Sequence, residues 1–443
     1  MQTKRRLSVV AALTASIGLL AACGSGVQPG EGSDAGDGES SAAGGSATAS
    51  AWITTGSSAL WADSFEWWNE QNPDEAFEVE AFANDAYKEK IRTAVGAGNA
   101  PTLIFGWGGG GLKEYVDNGN VVDITEGTQD VLDRVIPSVA AGGIVDGSVY
   151  GVPNAQSQPV IMYYNAELFE QVGAEVPTTW DEVMEVTATF NEAGIAPFSV
   201  AGQSKWPYLM WIQYLTDRIG GPEVFQAVLD NEPDAWSDPA ITEALTKIQE
   251  LVEADGFVDG YGSVVADANA DLALLYTGRA AMMLQGSWVY STFKADAEEF
   301  TMDGGLGYTT FPEVEGGAGD PANIVGNTSN YWSVSADADE AAQETAVSYL
   351  NEIIFDEEYT DLLLSEGGVP PVTGLEDRIA EIEDSSFVEL AYGMVRDAPH
   401  FQLSWDQALA PAAAQELLTN LENIFLLQIT PQEFVDNMNA TIE

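Results

Sequence analysis

The chain has one histidine, His400, and one cysteine, Cys23, among its 443 residues. Zinc and most transition-metal sites need several His or Cys ligands, so the sequence is starved of them. Catalysis of the Ser-His-Asp or Cys-His kind has His400 alone to draw on, and no Gly-x-Ser-x-Gly elbow occurs. No Gly-Lys-Ser/Thr phosphate loop occurs either. Asp267-Ala268-Asn269-Ala270-Asp271 begins like a calcium loop, but Leu272 stands where the turn needs glycine and Gly278 where a glutamate closes the site. Positive charge is the other shortage: 15 Lys and Arg against 70 Asp and Glu, a net charge of −55. Such a surface repels phosphate backbones, which excludes nucleic acid as a partner, and it favours a neutral ligand over an anionic one. No metal and no cofactor are called for. A carboxylate pair for glycoside hydrolysis cannot be singled out among so many acids, so the chain reads as a non-enzyme.

Long hydrophobic runs are confined to the N-terminus. Lys4, Arg5 and Arg6 precede an apolar stretch over 7–22, the pattern of a secretory signal. At about 16 residues it is short of the ~20 that cross a bilayer. It ends in Leu20-Ala21-Ala22-Cys23, which resembles the bacterial lipobox, where the cysteine takes a diacylglyceryl group and the new amino terminus an acyl chain such as palmitate. As the only cysteine, Cys23 has no internal disulfide partner. Residues 24–50 are mostly Gly, Ser and Ala with four acids, and Val27 is the one large apolar side chain. Such a segment cannot offset its ordering entropy; as a flexible coil it spans roughly 30 Å. The expectation is a signal peptide over 1–22 and a lipidated tether over 23–50. A folded body of roughly 390 residues follows, more than one comfortable core holds. No later segment is apolar enough to span a membrane.

The body opens with a strand at Ala51-Trp52-Ile53-Thr54-Thr55 running into Gly56-Ser57-Ser58. A helical stretch over 60–69, an alternating strand over 78–82, helical spacing at Tyr87, Ile91, Ala94 and Val95, and a strand over 101–105 follow. This rhythm predicts an α/β fold with a largely parallel sheet, whose ligands collect beyond the carboxyl ends of the strands. Helices are expected over 180–192, 208–219, 239–254 and 337–355, strands over 161–164 and 280–284, and further helices over 386–442 with Pro411 and Pro431 near their starts.

Tryptophans stand beside glycine and proline. Trp107 lies in Gly106-Trp107-Gly108, Trp206 in Lys205-Trp206-Pro207, Trp288 in Gln285-Gly286-Ser287-Trp288, and Trp405 in Leu403-Ser404-Trp405-Asp406. An indole is a broad apolar plate with a negative face, suited to the C–H-rich face of a neutral sugar. Trp61, Trp67, Trp68 and Trp211 sit on helical stretches and are expected in the core. Arg279 is expected in a structural ion pair and His400 in a structural role.

At these residues the chain resembles the extracellular carbohydrate-binding proteins of ABC importers, the family of maltodextrin-binding proteins. The landmarks are Ala97-Gly98-Asn99-Ala100-Pro101, Tyr150-Gly151-Val152-Pro153, Met162-Tyr163-Tyr164-Asn165, Pro177-Thr178-Thr179-Trp180-Asp181-Glu182, Gly278-Arg279-Ala280-Ala281-Met282 and Gln285-Gly286-Ser287-Trp288. The stretches around Trp107 and Trp206 look closest to binders of xylobiose and raffinose-type sugars. The resemblance implies a two-lobed periplasmic-binding-protein-like α/β fold with a cleft between the lobes. Residues 51–155 plus 331–370 would form the first lobe and 156–330 plus 371–443 the second. Hinge crossings are expected near 153–159, 331–334 and 367–372. It also implies that Trp107 faces Trp206, Trp288 and Trp405. Ser57, Ser58, Gly108, Gln156, Asn327 and Asp406 complete the expected ligand contacts. The partners implied are an oligosaccharide, the transmembrane subunits of an ABC permease and, through Cys23, the outer face of the cell membrane. A secreted glycoside-active enzyme and a binder of some non-sugar solute are the alternatives left open.

Overall fold

The computed structural model describes residues 49–55, 59–382 and 385–442. The signal-like segment, Cys23, the tether, and Ser57 and Ser58 therefore lie outside the described residues.

The described residues contain thirteen strands, eleven of them in two main sheets: β1 (Ala49–Thr54), β2 (Phe77–Phe82), β3 (Leu103–Gly106), β4 (Ile144–Val145), β5 (Ser148–Val149), β6 (Val152–Pro153), β7 (Gln158–Asn165), β8 (Ala196–Ser199), β9 (Ala280–Gly286), β10 (Leu306–Thr309), β11 (Ile324–Asn327), β12 (Tyr331–Val334) and β13 (Phe401–Leu403). The first sheet runs β2-β1-β3-β12-β6 and the second β13-β11-β7-β9-β8, with β10 also paired to β7. β4 and β5 make a separate hairpin.

The expectation of largely parallel sheets is corrected to mixed ones. β1 runs parallel to β2 and β3, but β12 is antiparallel to β3 and β6. In the second sheet β8–β9 and β11–β13 are parallel, whereas β7 is antiparallel to β9, β10 and β11. The parallel pairs come from the strand–helix–strand rhythm. The antiparallel ones come from the chain passing between sheets and returning, which local periodicity does not encode.

Local sequence explains the elements. β7 and β9 are buried along almost their whole length, as strands covered on both faces must be. The helix Trp180–Glu192 starts at a reciprocal capping box between Thr179 and Glu182 and buries Trp180, Val183, Val186, Thr187 and Phe190, the spacing of a single face. Pro411 and Pro431 open their helices at the first turn, where a missing N–H costs nothing. One apolar core gathers Trp61, Phe65, Trp68, Phe105 and Trp332 around the first sheet. A second gathers Trp180, Trp211, Trp236, Trp405 and Phe425 on the other. Each buried side chain of this size contributes about 1.5–3 kcal/mol of hydrophobic stabilisation.

Three chain passages join the sheets. Residues 154–157 lead from β6 to β7, 328–330 lead from β11 to β12, and 367–372 lie against them. They are stitched by Asn154 N to Asn330 O at 2.8 Å and Ser157 N to Val369 O at 2.9 Å. The second passage was expected at 331–334, but those residues already belong to β12 of the first sheet.

Candidate functional site

The cleft between the sheets encloses a cavity of about 240 Å³. The first sheet's side supplies Thr54, Asn84, Lys88, Phe105 and Trp107; the second supplies Trp206, Asp271, Gln285, Trp288, Asn327 and Asp406. Strand ends place most of them. Trp107 follows β3, Trp288 follows β9, and Asn327 closes β11.

Each indole has its own local device. Trp107 stands edge-on to Phe105, centroids 5.2 Å apart at 82°, which leaves its half-buried plate toward the cavity. Trp288 folds back over Gly286, where an added Cβ would lie 1.8 Å from the ring. The glycine is therefore required for that indole position. Trp206 is preceded by Lys205 at φ 62°, ψ −45°, a rare and strained backbone conformation for a side-chain-bearing residue. An ion pair from Lys205 Nζ to Glu422 Oε2 at 2.7 Å ties that residue down. Trp206 and Trp288 form a tilted pair with centroids 6.0 Å apart.

Polar groups fill the space between the plates. Asn327 Nδ2 donates to Gln158 Oε1 at 3.2 Å, and Gln158 Nε2 donates to Asn330 Oδ1 at 2.6 Å. Gln285 Nε2 donates to Asp271 Oδ2 at 3.1 Å. Among the described residues, the buried atoms Asp271 Oδ1, Asn327 Oδ1 and Trp206 Nε1 have no hydrogen-bond partner. Two acceptors and one donor thus wait on groups the protein does not supply, and a buried polar atom left so costs about 1–3 kcal/mol.

Burial pushes the Asp271 carboxyl up to about 6, with the Gln285 bond and the backbone amides of Asp271 and Leu272 acting in the opposite direction. Asp406 is also raised by burial, opposed by Lys88 and Gln407. Lys88 Nζ lies 4.9 Å from the Trp107 ring centroid and 5.9 Å from that of Trp206, a cation–π bridge across the cleft. Asp267 Oδ2 accepts from Asp85 N at 3.0 Å. That amide belongs to the first turn of the helix Asn84–Gly96, whose own cap, Ala83, offers no side-chain bond. A carboxylate from the far side of the cleft completes it.

The structure brings Trp107, Trp206, Trp288, Asn327 and Asp406 together in the cleft. It does not bring the rest. Trp405 is 1 % exposed and stacks on Phe225, centroids 4.2 Å apart at 5°, inside the second core. The apolar surface of distant Phe225 and Trp236 claims it, so its expected ligand contact is corrected to core packing. Gln156 lines a separate cavity of about 10 Å³, the size of one water, and its Oε1 accepts from Val369 N. Its role lies in the chain passage. Gly108, at φ 76°, packs against Gly142 and Tyr331 rather than lining the cleft. Arg279 is exposed and takes part in no ion pair among the described residues. His400 faces Gln402 at 3.3 Å. Trp61 and Trp211 are buried as expected.

Sequence reasoning missed Lys88, Asp267, Asp271, Gln158 and Gln285. The one signal was the aborted calcium loop: its Asp267, Asn269 and Asp271 line the cleft instead.

The family model for bacterial extracellular solute-binding proteins matches residues 50–359. A solved structure from work on xylan utilisation by the thermophile Caldanaerobius polysaccharolyticus is 28% identical, with a TM-score of 0.79 over 89% of this chain and 100% of that one. An uncharacterised ABC transporter extracellular-binding protein of Pyrococcus horikoshii is 24% identical over 49% of each chain. The xylose/arabinose-binding protein of Haloferax volcanii is 24% identical over 54% of this chain and 51% of its own. The chain spans about half the length of the curated relatives it matches.

Proposed function

The chain belongs to the bacterial extracellular solute-binding proteins, and on that premise we propose that it captures a neutral oligosaccharide for an ABC importer by closing two lobes around it. The observation that carries this reading is the combination of indole plates from both sides of the cleft with unpartnered buried acceptors and a donor between them. A hydroxyl both donates and accepts, and a sugar ring offers apolar faces rimmed by hydroxyls. Three cleft carboxylates against Lys88, on a chain of net charge −55, disfavour an anionic guest. The xylan-related structure and the xylose/arabinose-binding relative point to pentose-containing sugars as the first class to try.

Ligand shifts the lobes toward closure only through its better contacts in the closed form, and contacts from both sides provide that difference. Docking of the closed form on permease transmembrane subunits releases the sugar for import. A diacylglyceryl group on Cys23, with acylation of its amino group, holds the protein at the outer face of the cell membrane. The chain has no catalytic step in this scheme.

Titration of intrinsic tryptophan fluorescence with xylobiose, maltotriose and raffinose tests the reading. A saturable change with at least one sugar is expected. No response to any of them, or release of monosaccharide on incubation, contradicts it.

A further inference from the structure

Asp271 is out of character with its surroundings. It lies on the helix Ala270–Tyr276, whose buried face is otherwise Leu272, Leu274 and Leu275. It is 1 % exposed, yet it forms no ion pair among the described residues. A buried carboxylate without a cation is costly, and its place in the first turn of the helix, near the Asp271 and Leu272 amides, offsets only part of that cost. Its partner Gln285 is equally anomalous. It is also 1 % exposed, on a strand that otherwise reads Ala-Ala-Met-Met-Leu before it. The two satisfy one another only in part. Gln285 spends Oε1 on Gly286 N at 3.0 Å and Nε2 on Asp271 Oδ2. Asp271 Oδ1 is left over, in a side chain that lines the cleft.

Resting on the sugar-binding reading above, we propose that Asp271 is the specificity-determining group of the cleft: Oδ1 accepts a hydrogen bond from a ligand hydroxyl, which selects a guest presenting a donor beside the Gln285–Trp288 strand end. Gln285 is the positioning residue that fixes the carboxylate plane. Discrimination follows because an analogue lacking that hydroxyl leaves a charged acceptor buried and unpaired. The accepting form is the ionised one, so binding favours loss of the carboxyl proton and affinity weakens as pH falls through about 6. The other charged groups facing the same space are Asp267, Asp406 and Lys88. Of the strands packed on the helix, β7 brings the phenols Tyr163 and Tyr164, while β8 and β9 bring no titratable group.

The test compares the full protein with Asp271→Asn, using calorimetric titration with xylobiose, maltotriose and raffinose between pH 5 and pH 7.5, alongside thermal unfolding without sugar. Asp271→Asn is expected to bind at least ~10-fold more weakly at pH 7.5, as for loss of a hydrogen bond to a charged acceptor. It should lose most of the wild-type fall in affinity below pH 6 and unfold at the same or a higher temperature, because a buried charge is gone. A merely structural carboxylate would instead give weaker binding in step with a lower unfolding temperature, and that result overturns the assignment. So does wild-type affinity in the variant, or an unchanged pH profile. Wild-type protein that binds none of the three sugars overturns the sugar reading together with this one; wild-type binding with an indifferent Asp271→Asn overturns this one alone.

Discussion

The two faces of the cleft are built from different materials. The first sheet's side offers the half-buried indole of Trp107, the edge of the core residue Trp61, and a cation, Lys88; the second offers two indoles, Trp206 and Trp288, and the carboxylates Asp267, Asp271 and Asp406. The faces already touch through complementary chemistry: Lys88 reaches between Trp107 and Trp206, and Asp267 caps a helix that has no cap of its own. On the proposed reading, the second face therefore holds most of the recognition, and the first supplies the counterpart met on closure. A further asymmetry lies in the glycine run after Trp107. An added Cβ on Gly109 would stand 2.3 Å from Gln407 O, and one on Gly110 2.2 Å from Leu409 O. Those bare positions let the first face approach the second face's backbone.

Removing the recognition face should have the largest effect. Trp206→Ala combined with Trp288→Ala is expected to cost about 3 kcal/mol of binding, roughly 100-fold in Kd, from lost apolar burial. Calorimetry reads the loss, and circular dichroism should show an intact fold. Crowding the contact comes next. Gly110→Ala suits an isolated helix better than glycine does, yet it places a methyl against Leu409 O, and overpacking of this kind costs about 1–3 kcal/mol. Affinity should drop roughly 5- to 150-fold, and solution scattering should show a more extended protein; a compact, tight-binding variant would refute the bearing role. Asp267→Ala removes only the borrowed cap, worth about 1 kcal/mol, so about a fivefold loss of affinity is expected, with thermal stability nearly unchanged.

The smallest effect concerns the chain passages behind the faces. Burial first, then Asp63, raises the Glu366 carboxyl to about 7, with Lys294 opposing. Glu366 lines the water-sized cavity beside Gln156 and Gly368. Its folded value lies above the ordinary 4.5, so the native state keeps a proton that the unfolded chain has lost. The stabilisation is full below about 4.5 and disappears as pH rises through about 7. Glu366→Gln should flatten that part of the stability–pH curve in thermal unfolding, while a curve identical to wild type would remove Glu366 as its source.

Local signals made much of the fold legible. Thr179 with Glu182, and Pro411 and Pro431, mark helix starts that the structure has at those residues. Sheet sense was not legible, because β12 acquires its direction from a passage between sheets rather than from its own four residues. In the site, Trp107, Trp206 and Trp288 were readable because glycine, proline or a strand end adjoins each. Trp405 carries the same polar neighbours, yet Phe225 and Trp236 claim it from far away in sequence. Asp271 was unreadable for the converse reason. Its meaning depends on Gln285, 14 residues on, and on an oxygen that nothing in the protein satisfies.

A crystal structure of the protein with xylobiose, or with whichever of the three sugars binds, tests the central claim most directly. The account predicts a sugar ring lying against Trp206 or Trp288 and facing Trp107, a hydroxyl within about 3 Å of Asp271 Oδ1, and the Lys88 ammonium displaced from between the indoles. Sugar bound outside the cleft, or a cleft left empty at saturating sugar, would contradict it.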